Sequence, residues 1–361
     1  MDLELSEEQQ LLRETVRGLC ARHAGLDVVR QLENDPVGYP EKFWLQLGEA
    51  GLLDVSELSI TDAVVMYQEL GRSLAPTPHF VSSVVSASVL RRVGSDGQRG
   101  EWLPRLATGE AVITPAWLEP EGGFGPAGVT VHVDGDGRLT GTKRHVQFGA
   151  AADRLLVLAQ TDGGEVAYVL VDPKAPGVTL TQQQTIASDS QYRVDLAGAA
   201  GERLPATGWG VWDDVMHDGV ILLAAQAVGG ARYALDITVQ YAKDRKQFGK
   251  PLGAFQAIAH YLSDAVTAVD GAETLVYEAA WARDAGKSVA RLAPMAKLFA
   301  CQTFRDVTAM AQQVFGGVGF TVEYDVQLYF RRAKQLQVSW WDTRYLEELV
   351  ASAVLDNRPP S

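Results

Sequence analysis

The sequence feature that most constrains the fold is a double change of hydrophobic period along the chain. Apolar residues recur at helical spacing over the first hundred residues, alternate from about residue 110, and return to helical spacing from about residue 213. A helix repeats every ~3.6 residues and a strand every ~2, so one kind of element cannot produce both patterns. At 361 residues the chain also exceeds one small domain, so we expect two or three units.

The N-terminal third predicts several helices with recognisable ends. Ser6 and Gln9 form a capping-box pattern ahead of Leu12, Val16 and Leu19, which are spaced for one helix face. Glycines that stop the apolar pattern mark the ends of three more helices. The first of these carries Phe43–Leu47 and ends at Gly51. The second begins near Ser59–Asp62 and ends at Gly71, and the third crosses Val85–Val93 and ends at Gly94.

The middle of the chain predicts a small β domain. Val129, Val131 and Val133 alternate with polar residues and lead into the turn sequence DGDG, which is typical of a hairpin. Further strands are predicted in DRLLVLAQ, VAYVLVDP, GVTLT and YRVDL. Short strands separated by turn residues favour a small barrel or sandwich over residues 110–207.

The C-terminal third predicts an antiparallel four-helix bundle. Long apolar stripes at helical spacing run through Val220–Val239, Phe255–Val269, Leu292–Val314 and Tyr345–Leu355. The order of elements indicates an α+β protein with three domains. We expect an α-helical domain at 1–108, a β domain at 109–208 and the four-helix bundle at 209–361.

Charge and composition exclude several classes of function. The net charge of −13 argues against nucleic acid and against an anionic membrane surface as partners. The acidic start resembles neither a secretory nor a transit segment, so we expect a cytoplasmic protein without a membrane span. Cys20 and Cys301 lie in apolar helical patterns and are predicted to be buried free thiols. The six histidines show no metal-ligand spacing.

Two segments of the bundle do not follow a plain helical pattern. In DRKQFGKPLGAFQ, glycine and proline break the helix just after Arg245, whose guanidinium suits bidentate binding of a phosphate or carboxylate. In QQVFGGVGFTVEY, three glycines in four positions suggest close approach of another backbone or a ligand. From these residues alone, an ordinary turn with a surface arginine remains an open alternative.

Together the two segments resemble the acyl-CoA dehydrogenase family, flavoenzymes that oxidise a CoA thioester to its α,β-unsaturated form. RKQFGKPLGAFQ is similar to the family segment R-x-Q-F-G-x-P-L-x-x-F-Q, and QQVFGGVGFTVEY to Q-x-x-G-G-x-G-[FY]-T-x-E-[YF]. ELGRSLAPTP and GTKRHVQFGAAADRLLVLAQ match further family stretches. The resemblance covers almost the whole chain, and its domain order is the one that the periodicity predicts.

The resemblance implies FAD as the cofactor and a site shared between two subunits. In the family, the adenosine and pyrophosphate end of the FAD lies against the neighbouring subunit's bundle. In this chain the matching residues are Arg245, Gln247, Phe248, Gln313, Gly316 and Gly317. A fixed arginine fork for pyrophosphate and glycines for close backbone approach fit that role.

The half of the family site that contacts the flavin ring departs from the pattern. Where the family has hydroxyls in T-E-P-x-x-G-S/A-D, this chain has LEPEGGFG, with Leu118 and Phe124. Where the family has W-I-T/S-N-[GA], this chain has HVQFG, with His145 and Gln147. The acidic-x-x-Arg pattern that contacts the CoA nucleotide is replaced by HDGV, which contains no arginine.

The catalytic base is missing from both positions where the family carries it. Counting from RRAK, the usual glutamate falls on Trp340 and the glycine after it on Trp341. The other family position, on the first bundle helix, falls on Gly219, with Asp218 one residue away. An indole N–H only donates hydrogen bonds and cannot act as a base. Two indoles at this place predict a plugged active site, although both could also serve as ordinary core.

The pattern of retained and lost residues suggests the non-catalytic subunit of a heteromeric acyl-CoA dehydrogenase, an α2β2 tetramer. A second acyl-CoA dehydrogenase-like subunit would carry the glutamate and bind most of the acyl-CoA, and an electron-transfer flavoprotein or similar acceptor would reoxidise the flavin. The family's paired subunits of actinobacterial steroid side-chain breakdown suggest a steroid acyl-CoA as substrate. Two alternatives remain: a self-sufficient dehydrogenase with Asp218 as a displaced base, and a helical scaffold without flavin.

Overall fold

The computed structural model describes residues 4–356 and divides them into two compact units. The first, here the helical unit, comprises the described residues up to Leu26, then Leu58–Ala75, and those from Val220 onward. The second, here the β unit, comprises Asp27–Glu57 and Pro76–Gly219. The order of elements along the chain is helical, then β, then helical, as the change of period predicts.

The helical unit holds the long C-terminal helices and two N-terminal ones. Its helices are α1 (Glu7–His23), α4 (Ile60–Arg72), most of α7 (Gly210–Asp244), α8 (Gln256–Asp284), α9 (Leu292–Phe315), α10 (Val326–Val338) and α11 (Thr343–Leu355). The four predicted stripes lie on α7, α8, α9 and α11. Helix α10 lies between the last two of these along the chain.

Local signals explain where these helices begin. The capping box of Ser6 and Gln9 is formed at the start of α1, and the Ser59 side chain accepts from the backbone N–H of Asp62 at the start of α4. By length and composition α7 could cross a membrane, and it is the one such helix among residues 4–356. Because 72% of its most apolar stretch is buried, α7 is better explained as a core helix.

Helices α4 and α7 cross with their backbones in contact, and glycine makes that crossing possible. A Cβ atom on Gly71 would lie 2.0 Å from the carbonyl oxygen of Gln226, and one on Gly229 would lie 1.9 Å from that of Gln68. No real Cβ tolerates such distances, so any larger residue at either glycine would force the two helices apart.

The β unit is built around a small closed barrel. Its strands are β1 (Ile113–Ala116), β2 (His132–Val133), β3 (Arg138–Gln147), β4 (Arg154–Gln160), β5 (Val166–Val171), β6 (Val178–Gln183) and β7 (Gln191–Thr207). Pairing runs β2–β3–β7–β5–β4 and returns from β4 to β2, while β1 pairs with β4 and β6 with β7. The predicted hairpin is β2–β3, turning at Asp134–Gly137. Alternate side chains fill the interior, as a small barrel requires.

Short helices complete the β unit: α2 (Leu26–Gln31), α3 (Glu41–Glu49), α5 (Ala87–Val93) and α6 (Asp96–Thr108). A π-helix, Phe80–Ser86, precedes α5, so the helix predicted across Val85–Val93 is continuous but begins in a wider geometry. π-Helical turns occur often at functional sites. All seven residues of this one are buried.

Candidate functional site

The connection between α7 and α8 presents an arginine at the base of a tight hairpin. The backbone N–H of Arg245 still donates to Tyr241, and two-residue strands, β8 (Lys246–Gln247) and β9 (Lys250–Pro251), follow. The turn residues Phe248 and Gly249 have φ of 52° and 81°, the left-handed pair that two-residue hairpins require. Arg245 is exposed, and its guanidinium makes no hydrogen bond or ion pair to any described residue. It is therefore available to an anion.

The three glycines after α9 have three different explanations. Gly316 adopts φ 66° and ψ −145°, a conformation that other residues avoid. A Cβ on Gly319 would lie 2.9 Å from the Cβ of Phe315, so packing within the chain requires that glycine. Gly317 is exposed, has negative φ, and would have no atom within 4 Å of an added Cβ. Its open backbone leaves room for a ligand or a partner.

A ring stack joins the two segments. Tyr241 on α7 stacks on Phe315 at the end of α9, with ring centroids 4.1 Å apart and planes at 16°. The Tyr241 hydroxyl donates to the Phe315 carbonyl over 3.5 Å. Tyr241 lies one helical turn before Arg245, and Phe315 directly precedes Gly316. The predicted cofactor residues thus lie on two segments that the fold holds together at the ends of α7 and α9. An exposed guanidinium and an open glycine backbone fit the pyrophosphate of FAD.

Trp340 and Trp341, where the sequence resemblance predicts the family's glutamate and glycine, form a buried, strained turn. They lie between α10 and α11, with 6% of Trp340 and none of Trp341 exposed. Their φ angles are 52° and 72°, both left-handed. Left-handed φ is uncommon for a bulky residue. Trp341 packs edge-on against Tyr345 with centroids 5.6 Å apart. The backbone therefore has the conformation suited to the glycine expected at 341, while the side chains are indoles.

The other position for a base is closed by a phenylalanine. A Cβ on Gly219 of α7 would lie 3.2 Å from two ring atoms of Phe80, the first residue of the π-helix. The neighbouring Asp218 faces Arg92 instead, with a carboxylate oxygen 3.5 Å from the guanidinium. Arg92 also pairs with Asp214 at 2.7 Å. A carboxylate held in this ion pair is a poor candidate for a displaced base.

Aromatic packing occupies the part of the β unit where flavin-facing hydroxyls would be expected. Phe124 packs against Trp117 with ring centroids 5.9 Å apart, and Trp117 against the fully buried Trp212 at 5.3 Å. Leu118 contributes a carbonyl that accepts from the backbone N–H of Arg144. The sequence singled out Phe124 and Leu118 as lost hydroxyls, but it did not show that Trp117 and Trp212 would cluster with Phe124.

The residues that replace the family's W-I-T/S-N are held by polar contacts of the β unit. His145 has a left-handed φ of 54°, and its Nδ1 lies 3.0 Å from the Gln191 side-chain oxygen. The backbone carbonyl of Gln147 accepts from the buried hydroxyl of Thr114 at 2.6 Å. These contacts fit packing and lining roles rather than base catalysis.

The structure also buries two lysines that none of the sequence motifs singles out. Lys143 donates to Glu119 at 2.6 Å inside the β unit, and burial lowers its pKa to about 8. Lys297 is fully buried on α9 and donates to three backbone carbonyls around the tryptophan turn. A lone lysine within the apolar stripe of α9 was the available signal, since lysine is rarely buried without partners.

Comparison with known proteins gives a consistent assignment. The acyl-CoA dehydrogenase N-terminal domain matches residues 6–110 and the acyl-CoA dehydrogenase C-terminal domain matches residues 206–340. Acyl-CoA dehydrogenase IpdE2 of Mycolicibacterium smegmatis is 31% identical over 340 residues, 91% of this chain and 93% of that relative.

Solved structures agree. A chain of the ChsE4–ChsE5 complex from Mycobacterium tuberculosis has a TM-score of 0.89 at 28% identity and covers 100% of both chains. A chain of the Tcur3481–Tcur3483 steroid ACAD G363A variant has a TM-score of 0.87 at 29% identity, covering 97% of this chain and 98% of that one. FAD, the predicted cofactor, is the cofactor of this family. With matched domains at both ends and relatives that span its length, the chain belongs to the acyl-CoA dehydrogenase family.

Proposed function

We propose that this chain is the non-catalytic subunit of a heteromeric, FAD-dependent acyl-CoA dehydrogenase. The proposal is supported mainly by the two positions where the sequence resemblance expects the family's base: this chain has Trp340 and Gly219 there, and side chains fill both places. Buried indoles occupy the turn at Trp340, and Phe80 lies against Gly219. Abstraction of the α-proton needs a positioned carboxylate, which a partner subunit would supply.

The chain's contribution would be to bind the distal half of the partner's FAD. Arg245 would hold the pyrophosphate, with Gln247 and Phe248 of the same hairpin beside the adenine end. Gln313, Gly316 and Gly317 would complete that surface from the end of α9. When bound, FAD supplies the acceptor for the hydride that leaves the β-carbon of the thioester. Within this account the chain's residues bind and orient, and they transfer no proton.

The proposed assembly is an α2β2 heterotetramer in the cytoplasm. Similarity to chains of the ChsE4–ChsE5 complex and of a steroid ACAD supports a second acyl-CoA dehydrogenase-like subunit as partner and a bulky steroid side-chain acyl-CoA as substrate. That partner would bind most of the acyl-CoA, and an electron-transfer flavoprotein or similar acceptor would reoxidise the flavin. Cys20 and Cys301 are buried free thiols, as predicted, which suits a reducing compartment.

Substitution at the shared cofactor surface tests this function. In the purified complex, Arg245→Ala should weaken FAD retention, because the pyrophosphate loses its charged fork. Arg344→Ala is the matched control, since Arg344 lies exposed on α11 and pairs only with Glu348 among described residues. FAD remaining after gel filtration is measured by absorbance. Equal retention in the two variants would contradict the role assigned to Arg245.

A further inference from the structure

One buried lysine donates hydrogen bonds to the backbone of the turn that contains Trp340 and Trp341. The Lys297 ammonium on α9 donates to the carbonyls of Leu336, Ser339 and Trp341 at 3.0, 2.9 and 2.9 Å. The Lys297 side chain is completely buried. An ammonium has three N–H donors, so this geometry satisfies each of them. All three acceptors belong to the end of α10 or to Ser339–Trp341, here the indole turn.

One of these acceptors is a helix-end carbonyl that needs a donor from outside its helix. Leu336 belongs to the last four residues of α10, whose carbonyls have no partner within the helix. The negative end of the α10 dipole also favours a cation at this place. Burial lowers the pKa of Lys297, while Cys301 and Asp342 oppose that shift. The three carbonyl oxygens around the ammonium are the acceptors that a buried lysine requires.

The backbone of the indole turn is strained and needs such support. In the left-handed region the Cβ of a non-glycine residue lies too close to a backbone carbonyl oxygen, so Trp340 and Trp341 both hold an unfavourable backbone conformation. A turn of this kind persists only when its surroundings over-determine it. The Ser339 carbonyl belongs to the peptide before Trp340 and the Trp341 carbonyl to the peptide after Trp341, so Lys297 holds the peptide planes at both ends of the left-handed pair.

We propose that Lys297 is the positioning residue of the indole turn, holding its left-handed backbone and keeping both indoles seated. That the seated indoles block a catalytic position rests on the proposed function, whereas the clamp itself stands on the geometry alone. The hydrogen bonds from Lys297 would then keep the indoles in the catalytic position.

Fluorine NMR on the complete protein, with its partner where they purify together, tests the clamp. The eight tryptophans are labelled with 5-fluorotryptophan, and Trp340→Phe and Trp341→Phe assign the two resonances of the turn. Lys297→Met, which keeps an unbranched apolar side chain of nearly the same length and removes its donors, should shift these two resonances. It should also raise their relaxation by a soluble paramagnetic agent several-fold. The other six should stay in place.

The matched control is Lys334→Met, on the exposed side of α10, which should leave all eight resonances unchanged. Lys297→Met with both turn resonances at their wild-type positions would overturn the proposal, as would an equal shift of all eight, which reports general loosening. If Lys297→Met is insoluble, Lys297→Gln retains an N–H donor and should give smaller shifts confined to the same two resonances. Unchanged resonances in that variant would also overturn it. FAD stoichiometry tests the proposed function separately.

Discussion

Restoring a carboxylate at Gly219 is the sharpest test of whether this chain could be self-sufficient. An alanine at 219 gains about 1 kcal/mol of helix propensity and loses about 1–3 kcal/mol, because its Cβ would lie 3.2 Å from two Phe80 ring atoms. Glutamate adds a buried charge, which costs several kcal/mol more. We expect Gly219→Ala to be nearly neutral to mildly destabilising and Gly219→Glu to lose about 3–6 kcal/mol.

The assay compares thermal unfolding of wild type, Gly219→Ala and Gly219→Glu, and measures dehydrogenation of acyl-CoA by this chain with FAD alone. Adding Phe80→Ala to Gly219→Glu should recover part of the lost stability, because the two side chains compete for the same space. None of the variants should be active without a partner. The reasoning is refuted if Gly219→Glu is as stable as wild type and oxidises acyl-CoA by itself.

Two further predictions concern buried titratable side chains of the β unit. Burial lowers the pKa of His79 from 6.5 to about 4. Between these two pH values the unfolded chain binds a proton at His79 and the folded chain does not. The free energy of unfolding should therefore fall by about 3 kcal/mol as the pH is lowered from 6.5 to 4. In urea unfolding across that range, His79→Phe should flatten the dependence. Lys143→Met removes the cation that pairs with the Glu119 carboxylate and should lower the free energy of unfolding by about 3–5 kcal/mol. Adding Glu119→Gln should recover most of that loss. Equal unfolding midpoints for the single and double variants would contradict that pairing.

Fold elements were predictable wherever the signal is local. The capping box at Ser6 and the Ser59 cap depend on residues three positions apart, and the β2–β3 hairpin depends on its turn sequence. Helix α10 left no continuous apolar stripe, because polar Gln335 and Gln337 are among its buried residues. The π-helix is also invisible to periodicity, since serines and valines are buried there all round. Such features depend on tertiary packing rather than on local pattern.

The sequence predicted the positions of the candidate site residues, but not the side chains that surround them in the fold. Matching motifs located Arg245, Gly316 and Trp340 by number. They did not show that Tyr241 and Phe315 stack to join the two cofactor segments, because that contact links α7 with α9. The left-handed backbone at the tryptophans is likewise invisible in the sequence, and the lone lysine in the apolar stripe of α9 does not reveal which carbonyls Lys297 contacts. Distant side chains meet only once the helices have packed.

Counting flavins shows whether FAD is shared with a catalytic partner. The chain is expressed alone and then together with a candidate acyl-CoA dehydrogenase subunit that carries the glutamate. The ratio of FAD to protein is then measured in each preparation. We expect a colourless or insoluble chain alone and a yellow complex with about one FAD per heterodimer. Full FAD loading of this chain by itself, at one flavin per chain, would contradict this expectation.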